Sequence, residues 1–198
     1  MTQPIDVGTR AQLFIDHRFI DRKHNLQLNV NPPEKLSEPV IKCDRPWEKF
    51  GITYHSVVEE DGLFRMWYQA VPKPFWWTDE SRICYAESND GKTWSKPQVI
   101  TNNAEVHVYL TQLRDGRILA TYTNYHLPFG TYAIVSSDGG HTWDRDHPIQ
   151  LAVSALNQSG WLVTLQLADD SLITAYATTA YLHQTRKFAT EVVRWKMP

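Results

Sequence analysis

The stretch Ser136-Ser137-Asp138-Gly139-Gly140-His141-Thr142-Trp143 closes an alternating run, Thr131 to Ser137, with a polar, glycine-rich turn and then a large aromatic. An Asp and a hydroxyl residue hydrogen-bond their own backbone and brace such a turn, glycine admits positive φ, and the Trp returns to bury itself under a sheet. A looser copy, Ser88-Asn89-Asp90-Gly91-Lys92-Thr93-Trp94, lies upstream and is one residue shorter. Two copies about one structural unit apart argue for a repeat rather than an isolated hairpin turn.

Outward from these turns the repeat becomes explicit. The turn Glu60-Asp61-Gly62-Leu63 recurs as Arg114-Asp115-Gly116-Arg117 and as Ala168-Asp169-Asp170-Ser171, at a constant spacing of 54 residues. A strand-like run precedes each turn (52–59, 107–114, 161–168) and another follows it (63–70, 117–124, 171–178), the pattern of a hairpin. Third strands are expected at 82–88, 131–137 and 188–195, and weaker fourth strands at 98–101 and 149–153. Helical periodicity is absent over any useful length. Four antiparallel strands at a period near 50 residues predict an all-β, propeller-type array of four-stranded blades, near 51–101, 105–153 and 160–198. Residues 1–50 read as an irregular, proline-punctuated segment of the same single domain, 1–198. Its short strands, at 12–15 and 40–43, are expected to supply the fourth strand that the third blade lacks.

Three blades are fewer than the roughly 4 to 8 of typical propellers and leave flanks to be covered. Either the chain is a shortened array, or two copies associate as a two-fold homodimer that completes a six-bladed ring. The 198 residues carry a net charge of −2 with 20 basic residues dispersed along the chain, which excludes a nucleic-acid footprint. No apolar run approaches a membrane span and the first ten residues lack a signal-peptide core, so the expectation is a cytoplasmic protein without a membrane partner. The 8 Trp, 9 Tyr and 7 Phe suit both an all-β core and a sugar-binding surface. Cys43 and Cys84 are expected as buried thiols in strands; neither a metal nor a cofactor is expected.

Ser136 to Trp143 matches the Asp-box pattern Ser-x-Asp-x-Gly-x-Thr-Trp, and the chain resembles sialidase-like (BNR-repeat) β-propeller proteins. Further carrying residues in the second half are Leu113 to Leu119, Pro128-Phe129-Gly130, Gly160-Trp161, Leu165-Gln166-Leu167 and Arg194-Trp195. Those in the first half are Leu13 to Asp16, Pro46-Trp47-Glu48, Arg65 to Tyr68 and Cys84 to Ser88. Family members are usually longer, so the chain reads as a shortened one. The resemblance implies an exo-acting, sialidase-like glycoside hydrolase or a degenerate relative working on glycan ends; the alternative is a non-catalytic glycan-binding or structural propeller. It also aligns the nucleophilic tyrosine of sialidases with Trp161, whose indole cannot act as a nucleophile.

By the resemblance, ligands bind at the end of the blades opposite the Asp boxes. The loops there hold the candidates. Glu48, Glu105 and Asp44 are the expected acid–base residues, since two carboxylates across a cleft serve glycoside hydrolysis. Arg45, Trp76, Trp77, His107, Tyr125, His126 and Arg186 are the expected carbohydrate-binding residues. For several of these a structural role competes: Trp76 and Trp77 as caps between blades, Glu48 and Asp44 as turn caps around Pro46, His107 as a buried core histidine, and the arginines as surface ion pairs.

Overall fold

The computed structural model describes residues 5–9, 13, 15–74, 80–155, 160–182 and 185–198, with side chains left aside at 179–182 and 185–187. Two compact units are separated by contacts, Met1–Glu38 and Pro39–Pro198. The described residues of the first form turns and bends without helix or strand.

The second unit is all-β apart from one 3-10 turn, Pro46–Glu48. Its first sheet has the order β1 (Gly51–Glu60), β2 (Leu63–Val71), β3 (Arg82–Ser88) and β4 (Gln98–Val99). The second repeats it with β5 (Glu105–Gln112), β6 (Ile118–Asn124), β7 (Gly130–Ser136) and β8 (Ile149–Val153). The third contains β9 (Gly160–Gln166), β10 (Leu172–Leu182) and β11 (Thr185–Trp195). All pairings are antiparallel between neighbours in the chain. This is the expected array of propeller blades, not closed into a ring.

Blades stack face to face because their middle strands are apolar on both sides. In β6, Leu119 faces a layer with Leu113, Ala133 and Leu172, while its neighbour Ala120 faces one with Tyr122, Tyr132 and Ile134. Trp143, carried back by the Ser136–Trp143 turn, packs with Val108 and Leu110 against both Trp67, Ile83 and Tyr85 of the first blade and the Tyr122 layer of the second. Within that turn, Ser136 Oγ donates to Asp138 Oδ1 at 2.7 Å, and Asp138 accepts the Thr142 amide at 2.8 Å and hydroxyl at 2.6 Å. These bonds, those of Thr142 foremost, hold the Asp138 carboxyl well below the ordinary range. In the shorter copy, the amides of Thr93 and Lys92 push Asp90 down to about 2.

Three expectations need correction. Residues 40–43 form no strand; Ile41 instead packs across the outer face of the first blade with Trp47, against Met66, Tyr68, Ala70 and Cys84. Covering a face, the segment has no sheet edge to pair with, and Cys43 is exposed rather than buried. Leu13 and Ile15 also lie outside any strand and are exposed, while Gln12 and Phe14 fall outside the described residues. The third sheet accordingly has three strands among the described residues, and its β10–β11 hairpin is longer than expected. Cys84 is buried, its thiol pushed up to about 12 by burial and then by the nearby Glu48 charge. Among the described residues no helix is long and apolar enough to cross a membrane.

Candidate functional site

The first strand of every blade carries the same irregularity. In β1 three steps from Thr53 to Ser56 oppose two steps of β2, Gln69 to Trp67. In β5 the three steps from Val106 to Tyr109 oppose two of β6, and in β9 the three from Gly160 to Val163 oppose two of β10. Each is a one-residue β-bulge, and in each the first extra residue is left-handed: Tyr54 at φ 52°, His107 at φ 54° and Trp161 at φ 49°. Non-glycine residues avoid this region, and holding a bulky one there costs on the order of 1–3 kcal/mol. A bulge turns its side chain off the regular strand alternation. Here the same turn is made three times.

The three rings meet. His107 lies edge-on to Tyr54 with centroids 5.5 Å apart and stacks on Trp161 at 5.3 Å and 29°. Tyr125, just beyond β6, lies within 2.9 Å of His107 Nε2 through its hydroxyl. Gly160 makes the close approach possible, since a Cβ there would sit 2.9 Å from His107 Cδ2. Burial alone lowers the His107 imidazole to about 4, so it is neutral near pH 7, and burial raises the Tyr125 phenol to about 12. Tyr54 and Trp161 remain 51% and 62% exposed. The cluster is thus a neutral histidine flanked by two open aromatic faces.

These rings stand over a cleft of about 730 Å³ between β1 and β5, which also exposes His55, Tyr109, Gln112, Glu59 and Glu60. Both carboxylates are engaged: Glu59 accepts the Gly62 amide at 2.8 Å, and Glu60 pairs with Arg65 at 2.5 Å. Its lining of aromatic faces and polar side chains can hold a ring-shaped, hydroxylated ligand.

Among the residues singled out from sequence, His107 and Tyr125 come together at this cluster. Glu105 begins the same strand as His107; it accepts the Asn102 amide at 2.6 Å and the Tyr122 hydroxyl at 3.3 Å. His126 is exposed, its amide donating to Asn124 Oδ1 at 3.0 Å, and is not brought to the cluster by any described contact. A second group forms around the 3-10 turn. Asp44 pairs with Arg45 at 3.1 Å, and Glu48 accepts the Arg45 amide at 3.3 Å. Glu48 is fully buried and accepts the Tyr68 hydroxyl at 2.6 Å. Arg186 pairs with Tyr181 in the β10–β11 hairpin, its side chain not among those described. Trp76 and Trp77 lie outside the described residues. Tyr54 escaped the sequence reading, although it precedes its Asp-Gly turn by nearly the same interval as His107 and Trp161 precede theirs. Among the described residues no cluster of His, Cys, Asp and Glu is arranged for a metal ion.

Comparison with known proteins agrees with the fold. Residues 33–190 match the family model described as BNR repeat-like domain. No curated protein matches the sequence. Among solved structures, an α-L-arabinanase of Cellvibrio cellulosa, complexed with arabinohexaose, superposes with a TM-score of 0.60 at 11% identity, over 81% of this chain and 60% of that one. An endo-arabinase of Bacteroides thetaiotaomicron gives 0.57 at 14% identity, over 77% and 59%. A protein of unknown function from Dyadobacter fermentans gives 0.55 at 19%, over 74% and 52%. The chain therefore spans between 52% and 60% of the length of these structures, and at such identities the likeness is one of fold.

Proposed function

The chain belongs to the BNR repeat-like domain family, and from that membership we propose that it binds a glycan at the cluster of Tyr54, His107 and Trp161. The observation that carries this reading is the threefold bulge. Three successive blades each hold a bulky residue in a strained conformation, and all three rings are directed to one place. Open indole and phenol faces stack on the C–H faces of a sugar, while the cleft offers imidazole, hydroxyl and amide groups of His55, Tyr109 and Gln112 to its hydroxyls. The solved structures of similar fold include a protein held with an oligosaccharide, which supports a carbohydrate as ligand. A glycan array followed by calorimetry on the best binder tests the reading. Trp161→Ala should weaken that binding at least about tenfold, equivalent to about 1.4 kcal/mol.

Hydrolysis at a glycan end, in the sialidase-like manner, is the second reading. Family membership favours it, as does Glu105, a part-buried carboxylate two residues before His107. Trp161 provides no nucleophile, so carboxylate chemistry would have to serve. Release of aryl alcohol from a panel of aryl glycosides that includes sialosides measures it. Turnover that Glu105→Gln abolishes, with the melting temperature unchanged, would establish hydrolysis. An inert panel alongside retained glycan binding would leave the binding module.

A further inference from the structure

The cleft at the aromatic cluster is lined along two first strands, from Tyr54 to Glu60 in β1 and from His107 to Gln112 in β5. The six steps from Tyr54 to Glu60 span about 20 Å of strand, room for several sugars in a row. Its charges are of one sign. Arg65 is the one cation among the described lining residues, and Glu60 holds it at 2.5 Å. The two lining histidines are neutral near pH 7, since burial lowers His107 to about 4 and lowers His55 below its ordinary value. Glu59 accepts the Gly62 amide and faces no cation among the described residues. Glu105, two residues before His107, is bonded to Asn102 and Tyr122, both neutral. The cleft and its rim therefore carry negative charge that no described cation offsets.

We propose that this cleft selects uncharged sugars and, through its own negative charge, turns away those carrying a carboxylate, such as sialic and uronic acids. The proposal rests on the reading that the cleft binds a glycan. A carboxylate taken out of water needs a cation or several aimed donors in exchange. The Arg65 guanidinium is already committed to Glu60, and a ligand that captured it would leave the Glu60 carboxylate without its partner. Glu59 repels a second anion, and the apolar lining of Trp67, Ile83 and Leu110 weakens the screening between them. Neutral hydroxyls meet no such penalty, because Ser56, Tyr109 and Gln112 both donate and accept. Rejection by an unmatched charge is specificity through repulsion. The sialic acid that the sequence resemblance implies is thereby disfavoured at this cleft.

Calorimetric titration of paired sugars into the 198-residue chain tests the proposal. The neutral probes are lactose and the tetrasaccharides of glucose, galactose, xylose and arabinose. The acidic probes are sialyllactose and the uronic-acid forms of the glucose and galactose tetrasaccharides. At about 0.1 M salt the tightest neutral sugar should exceed every acidic one by at least about tenfold, and the gap should narrow at about 1 M salt, where charges are screened within about 3 Å. Glu59→Lys should raise the affinity for the acidic sugars at least about tenfold. Glu59→Gln, which keeps an acceptor for the Gly62 amide, should raise it less. An acidic sugar bound as tightly as any neutral one overturns the proposal, and its loss in Trp161→Ala would still leave the aromatic cluster as the site. Acidic affinities unmoved by Glu59→Lys overturn it as well, since shape and not charge would then do the selecting. Binding that survives Trp161→Ala, or no binding across the panel, overturns the glycan reading itself and the proposal with it.

Discussion

His107 combines three constraints in one side chain: a left-handed backbone, a ring stacked on Trp161, and a nitrogen within 2.9 Å of the Tyr125 hydroxyl. Burial keeps it neutral in the folded protein down to about pH 4, whereas an unfolded histidine protonates near pH 6.5. Between these values the unfolded chain binds the extra proton. The linked stability is therefore fully present above about pH 6.5 and is lost as the pH falls, levelling below about 4. Between pH 7 and pH 5 this amounts to about 2 kcal/mol. His107→Gln should remove that share of the acid sensitivity, read as a smaller drop in the urea midpoint between the two pH values. An unchanged drop would mean that the imidazole is not held neutral.

At the scale of elements, strands and turns were legible because their chemistry is local. Asp-Gly between alternating runs places a hairpin, and the Ser-x-Asp…Thr-Trp turns fold on their own hydrogen bonds. The bulges were not legible in the same way, since a bulge is a count of one strand against its partner and becomes visible only once register is known. Residues 40–43 have an apolar, strand-like composition, yet they cover a face, a choice made by tertiary packing. Gly130 belongs to the elements too. A Cβ there would lie 2.0 Å from the Ala152 carbonyl oxygen, where β7 pairs with β8. Gly130→Ala should thus cost at least about 2 kcal/mol in chemical denaturation, the scale of an overpacked core. A loss within about 0.5 kcal/mol would show that β8 is free to move away.

At the scale of the whole molecule, the repeat converts a local bend into a site. Each blade contributes one ring, and blade stacking brings the rings together above one cleft. Half of that candidate cluster was readable in advance: His107 and Tyr125 were expected as carbohydrate-binding residues, whereas Trp161 entered only through the family alignment, as a residue that cannot be a nucleophile, and Tyr54 needed the bulge to be noticed. For Glu48 the sequence left an acid–base role and a turn cap side by side; its full burial at the end of the 3-10 turn and its bond to Tyr68 depend on the fold around it. The most direct measurement is a calorimetric titration of the best array glycan into the wild-type protein, Tyr54→Ala and Trp161→Ala, each checked for an unchanged fold by circular dichroism. Both variants should lose at least about tenfold in affinity. Wild-type affinity in both would place glycan binding away from the aromatic cluster of Tyr54, His107 and Trp161.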